Sequence, residues 1–289
     1  KKNYTISESI KNTLTGCGFN EVINYGFVGN GRDRSLQHNI QDSNKKQIKL
    51  LNPLTNDWDV MRTTLLVSLL NNVVTNINRG NYNLKLFELG NVFFYEDKQQ
   101  QPTEQTFLGI IMTGYYQLPW WKEKPREIDF YDLKGIIELL LKEQKGISYS
   151  RGNSHLYTEE QLKFSITDEE LVTIGQLSPN ILKNWDIKQP VYFAEFNIDK
   201  LIKYSNLKQY YSPLAKYPEI RRDIAIIVDK NISNETLHTN LIQWAGDLVT
   251  SIEIFDMYSG KSIPEDKKSV AYQIIYRAKN RTLTDEEIN

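Results

Sequence analysis

The chain has 289 residues, 40% of them hydrophobic and 25% charged, which is ordinary globular composition and enough for one large domain or two of common size. A formal net charge of -1 removes any whole-chain argument for a polyanionic partner, so a nucleic-acid site has to be a local patch. Cys17 is the only cysteine, which excludes an internal disulfide and suits a reducing cytoplasm, and no apolar run approaches the roughly 20 residues of a membrane helix.

Thr5-Ile-Ser-Glu8 has the spacing of a capping box, and Ile6, Ile10 and Leu14 follow at helical steps until Gly16. Val22 to Val28 alternates Ile23, Tyr25 and Phe27 on one face and predicts a strand. Residues 31–47 are polar and read as loop with a short helix, and Ile48 to Leu51 reads as a strand. Asn52-Pro-Leu-Thr-Asn-Asp57 predicts a turn. Thr63 or Thr64 then caps a helix carrying Leu65, Leu66, Leu69, Leu70, Val73, Val74 and Ile77, closed by Gly80. So apolar a helix suits either a core or a subunit interface.

Leu84 to Phe94 predicts a strand, and the unbroken apolar run Phe107 to Met112 a strand buried on both faces. The loop Tyr115 to Ile128 carries Trp120 and Trp121, either as a functional loop or as an aromatic plug over the sheet edge. Asp129 precedes a helix with Phe130, Leu133, Ile137 and Leu140 on one face. Gly135 inside it is explained if another backbone comes close. Leu162 to Ile166, Leu171 to Leu177 and Val191 to Ile198 read as strands, the first two joined by a hairpin at Asp168-Glu169, with a short helix at Pro179. Residues 1–203 are therefore expected to form an α+β layer on a mostly antiparallel sheet.

Residues 204–217 read as a linker, and in 218–289 the pattern restarts. Strand Ile224 to Val228, helix Glu235 to Ala245 (Leu237, Leu241 and Trp244 on one stripe), and strands Leu248 to Met257 and Val270 to Tyr276 give the order β-α-β-β. Thr284-Asp-Glu-Glu287 is a second capping box at the end of the chain. This is the ferredoxin-like pattern, with its last helix and strand expected to be missing and its first strand left at an edge. Pro218 to Asp223 is expected to be structural, with Arg222 pairing locally.

Catalytic signatures are sparse. His38, His155 and His238 lack metal-ligand spacing, and Gly260-Lys261-Ser262 lacks the upstream glycine and the strand–loop–helix order of a phosphate-binding loop.

The wording Asn52-Pro-Leu, Met61-Arg-Thr-Thr-Leu-Leu66, Leu86-Phe-Glu-Leu-Gly-Asn-Val-Phe93, Asp129-Phe-Tyr-Asp-Leu-Lys-Gly135, Pro218-Glu-Ile-Arg-Arg-Asp223 and Arg281-Thr-Leu-Thr-Asp-Glu-Glu287 resembles the bacterial phenylalanine–tRNA ligase β subunit across nearly the whole chain. The resemblance implies a class II synthetase-like sheet followed by a truncated ferredoxin-fold anticodon-binding domain. Class II catalytic strands carry an arginine that stabilises charge at the ATP α-phosphate. Phe94 stands at what looks like that position, and the strand from Val191 to Ile198 lacks the second arginine, so no catalytic residue and no metal site are expected. Chemistry with ATP and Mg2+ is implied for the catalytic α subunit, the partner in an assembly of two α and two β chains. The family's editing and magnesium sites are expected to precede Lys1. Asp256, Tyr258 and Ser269 match the family's contacts to the first anticodon base of tRNA(Phe). Tyr258 offers a stacking platform and Asp256 an acceptor for a guanine edge. Lys261, Lys267 and Lys268 are phosphate-contact candidates, within a cluster that includes Arg277, Lys279 and Arg281. The segment Lys208–Asn289 holds 11 Lys+Arg against 12 Asp+Glu, so its overall charge gives no help. The alternative reading is a synthetase-like paralogue acting as a scaffold, with a ferredoxin-like domain that senses a small molecule.

Overall fold

The structure, a computed structural model, describes residues 2–31, 36, 45–53, 55, 58–96, 101–117, 121–144, 146–204, 213–260 and 262–288. It divides into two compact units, Lys1–Lys208 and Gln209–Asn289.

The first unit is built on an eight-stranded sheet in the order β1-β5-β6-β10-β9-β8-β7, with β3 also paired to β5. Its strands are β1 (Asn20–Glu21), β3 (Lys45–Lys46), β5 (Leu84–Glu96), β6 (Thr103–Thr113), β7 (Ile147–Arg151), β8 (Tyr157–Ile166), β9 (Glu169–Leu177) and β10 (Val191–Asn197). All pairings are antiparallel except β1 with β5. The mostly antiparallel α+β layer is thus borne out. Thr167 and Asp168 both take positive φ, 46° and 66°, as a two-residue β8–β9 hairpin requires.

Strands β5, β6, β8, β9 and β10 each serve two cores because their side chains alternate. Along β10, Tyr192, Ala194 and Phe196 join the core under α1 (Lys2–Gly16), α3 (Phe130–Leu141) and α5 (Ile198–Tyr204). Val191 and Phe193 join the other, beneath α2 (Leu66–Ile77) and α4 (Pro179–Asn184). Leu66, Val67, Leu69, Leu70 and Val73 of α2 are all buried, at about 1.5–3 kcal/mol per side chain. Its apolar stripe is therefore core and not interface. The first turn of α2 is held by Thr64, whose Oγ1 accepts from Leu66 N (3.1 Å), and by Glu195, which accepts from Leu65 N (2.7 Å) and Thr64 Oγ1 (2.9 Å). Asp129 caps α3 through a capping box with Asp132. Burial pushes the Asp132 carboxyl up, but its paired bonds to Arg126, the Asp129 amide and the nearby Lys85 charge together leave it below the usual carboxylate value.

Several expectations are corrected. Thr5 lies inside α1, which starts at Lys2, so it is not the cap. The segment expected to be a strand from Val22 to Val28 forms a ladder only at Phe27–Val28 (β2, with β4 at Val60–Met61), with single backbone bonds from Val22 N to the Phe87 carbonyl and from Arg62 N to the Gly26 carbonyl. Ile23 is 91% exposed and Tyr25 and Phe27 are also exposed, so the alternating face points outward. Ile48 to Leu51 holds a single bridge, Lys49 to Val60, flanked by Leu50 N donating to the Asp59 carbonyl and Met61 N to the Ile48 carbonyl, and forms no longer ladder. Trp121 is 84% exposed and is no plug; Trp120 and part of the 52–57 turn lie outside the described residues. Nothing comes within 4 Å of the space a Gly135 side chain would fill, so no close approach explains that glycine. Gly135→Ala is accordingly expected to stabilise the chain by about 1 kcal/mol, read as a rise in thermal midpoint of roughly 2–4 °C.

The second unit has strands β11 (Ile220–Asp229), β12 (Val249–Tyr258) and β13 (Lys267–Tyr276) in the order β11-β13-β12, with α6 (Asn234–Ala245) on one face. The β-α-β-β order is borne out, and β11 lies at an edge of this three-stranded sheet. Ser233 caps α6 by accepting from Thr236 N. The core is Leu241, Ile252, Val270, Tyr272 and Ile274; Trp244 is 77% exposed and does not join the stripe. Thr284 and Glu287 form the capping box on a 3-10 turn, Asp285–Glu287. Arg222 pairs with Asp285, 63 positions away, so its partner is not local.

Candidate nucleic-acid interface

Strand parity decides which side chains of the second unit meet. Ile224, Ile226 and Val228 of β11 and Val270, Tyr272 and Ile274 of β13 face α6. Their neighbours therefore line the opposite face of the sheet. There the register sets Tyr258 across from Ser269, and Ser269 across from Ile227. The next row sets Asp256 across from Ala271, and Ala271 across from Ala225. Directly opposed residues of an antiparallel pair share a face with Cβ atoms about 4.5–5.5 Å apart. Asp256, Tyr258 and Ser269 are thus neighbours on one open face. A β-bulge between Ile254 and Asp256 absorbs one residue and sets their parity. Ala225 and Ala271 give that face a low floor and Ile227 an exposed apolar wall. The alternation of 224–228 carried this signal, but the partner row needs the register.

The lysines do not act together. Lys267 is on the open face, 3.7 Å from the Asp229 carboxylate. Lys268 is one residue on and points to the helix side, where its Nζ donates to the Ile232 carbonyl (2.6 Å). Lys261 lies outside the described residues. Arg277 is paired with Glu219, and Arg281 with Glu287, whose carboxyl is held down at about 2 by that arginine and by the Thr284 amide. The positive cluster read from the sequence is thus largely neutralised by its own neighbours. Lys279 is exposed and has no partner among the described residues.

In the first unit Phe94 is 1% exposed and packs into the core beneath α2. It borders a cavity of ≈ 360 Å³ lined also by Phe107, Tyr157, Phe193, Glu195 and Lys200. No described arginine lines that cavity. Among the described residues of this unit the buried cation is Arg62, whose Nη1 lies 2.7 Å from Glu88 Oε1 and whose Nε donates to the Asn91 carbonyl (2.9 Å). Glu88 also accepts from Asn24 Nδ2 at 2.7 Å. This pair escaped the sequence reading, because nothing local joins residues 62 and 88. Among the described residues no group of three or more His, Cys, Asp or Glu could hold a metal ion. No described helix is long and apolar enough to cross a membrane.

Residues 1–198 match the family described as the phenylalanyl tRNA synthetase beta chain CLM domain, and residues 215–289 match the ferredoxin-fold anticodon binding domain. The chain is 36% identical to the phenylalanine–tRNA ligase beta subunit of Fusobacterium nucleatum, over 99% of this chain and 36% of the relative. It is 34% identical to that of Clostridium tetani, over 98% of this chain and 35% of the relative. The chain therefore spans about a third of the length of the curated relatives it matches. Among solved structures, pyrrolysyl-tRNA synthetase from Desulfitobacterium hafniense superposes with a TM-score of 0.53 at 16% identity, over 69% of this chain and 68% of that one, a likeness of fold alone.

Proposed function

The chain belongs to the family of phenylalanine–tRNA ligase β subunits, and on that premise we propose that it supports ATP-dependent attachment of phenylalanine to tRNA(Phe) without carrying the chemistry. Residues 218–289 read the anticodon, residues 1–203 assemble with the catalytic α subunit, and residues 204–217 link them. The reading extends to a cytoplasmic assembly of two α and two β chains, with ATP and Mg2+ handled on α. The observation that carries the anticodon role is the cross-strand pairing of Tyr258 with Ser269, beside Asp256 on an open face. An aromatic plane, a carboxylate and a hydroxyl at such spacing suit an unstacked base, which stacks on the ring and bonds at its edge. Support for assembly comes from Ile23, Tyr25, Leu51 and Trp58, all exposed, with the Tyr25 and Trp58 rings 5.3 Å apart. Large apolar side chains gathered on a surface mark an interaction site. Synthesis with the α chain tests both halves. The two are expected to co-purify and to bind the tRNA(Phe) anticodon stem-loop more tightly than a stem-loop altered at the first anticodon base. Failure to co-purify would refute the assembly role, and equal affinity for the two stem-loops would refute the anticodon role.

A further inference from the structure

We propose that Gly260 is a positioning residue for Tyr258, leaving the ring space to lie along the chain so that one of its faces is presented to a base. This rests on the anticodon reading above. Asp256 and Tyr258 fall at the two-residue period of β12 and share a face, and Gly260 follows in the bend just past the strand's end. Tyr258 is 46% exposed, and a surface tyrosine with that freedom samples several rotamers unless something holds it. Here the end of the ring fills the space that a side chain at 260 would need. A Cβ built on Gly260 would lie 2.6 Å from the Tyr258 Cζ and 3.2 Å from its Cε1, and would overlap the hydroxyl. Gly260 is not among the glycines with positive φ, so backbone conformation does not demand glycine there. What demands it is the ring. Alanine at 260 would displace the far end of a flexible, half-exposed side chain, which leaves the fold intact and moves only the platform.

The test is a double-mutant cycle in the complex of the full β chain with its α partner, measuring affinity for tRNA(Phe). Gly260→Ala is expected to weaken binding roughly threefold or more, the scale of one freed side chain, with thermal midpoint and aminoacyl-adenylate formation unchanged. In a Tyr258→Ala background the same substitution is expected to add nothing. With 3-fluorotyrosine in the 289-residue chain, the resonance lost in Tyr258→Phe is expected to shift in Gly260→Ala. Wild-type affinity in Gly260→Ala while Tyr258→Ala binds weakly would overturn the positioning role. So would a Gly260→Ala loss that persists without the ring. Wild-type affinity in Tyr258→Ala would instead overturn the anticodon reading and this inference with it, and the fluorine shift would tell that failure from a ring that never touched residue 260.

Discussion

Arg62→Ala is expected to destabilise the unit Lys1–Lys208 by about 3–5 kcal/mol, the cost of leaving one member of a buried ion pair without its partner. The two side chains are nearly sealed from solvent, and both are tied beyond each other. With the guanidinium gone, the Glu88 carboxylate keeps, among the described residues, the Asn24 donors at 2.7 and 3.3 Å, in a site nearly closed to solvent. Glu88→Ala leaves the mirror problem, an arginine whose remaining partners are the Asn91 carbonyl and the more distant Ser68 hydroxyl. Gly90 shows how closely the pair is fitted. A Cβ there would lie 3.4 Å from the Arg62 Cζ and would collide with Nη2. Replacing both charges together, as Arg62→Met with Glu88→Leu, removes the uncompensated charge and is expected to cost far less than either single change. Urea denaturation of the four chains measures this. Single variants within about 1 kcal/mol of the parent would show that the pair is not energetically coupled. The effect reaches the surface too, because the backbone of residue 62 bonds to the Gly26 carbonyl and the Phe93 amide. Loosening it frees the segment that carries Tyr25 and Phe27.

The elements readable from sequence were those with a strong local period. The stripe of α2, the apolar run of β6 and the hairpin at Asp168 each carry their cause within a few residues. What failed was the choice of side. Ile23, Tyr25 and Phe27 alternate as expected, but alternation says only that two faces differ, and here the apolar one faces outward. Trp244 keeps helical spacing with Leu241 yet stays 77% exposed, outside the small core that the three-stranded sheet forms with α6. β7 was missed because Ile147 to Arg151 is short and half polar, and its pairing with β8 is what makes it a strand. In the candidate site, Asp256, Tyr258 and Ser269 were legible through the resemblance, and the register places them together. The lysines were legible only as a count. Adjacent strand residues point opposite ways, so Lys267 and Lys268 could not share a face. Ion pairs such as Arg277 with Glu219 span 58 positions and are invisible to any local charge sum.

Tyr258→Ala is expected to weaken tRNA(Phe) binding by the complex about 5- to 150-fold, the loss of one stacked base at ~1–3 kcal/mol. Aminoacyl-adenylate formation, a step without tRNA, is expected to be unchanged, which separates loss of recognition from loss of assembly. Tyr258→Phe keeps the ring and is expected to bind nearly as the parent does, since the platform and not the hydroxyl faces the base. Asp256→Asn is expected to act differently. The carboxylate accepts from two hydrogens on a guanine edge, whereas an amide oxygen accepts and its nitrogen donates. Discrimination against other bases at that anticodon position should therefore fall more than affinity for a non-cognate stem-loop. Salt dependence gives an independent check. A stacking ring carries no charge to neutralise a phosphate, so removing Tyr258 should lower affinity without changing the slope of log K against log salt. Lys267→Ala, on the same face beside Asp229, should reduce that slope by about one if it meets a phosphate. A Tyr258→Ala complex with parental affinity at every salt concentration would mean that the open face is not where the anticodon is read.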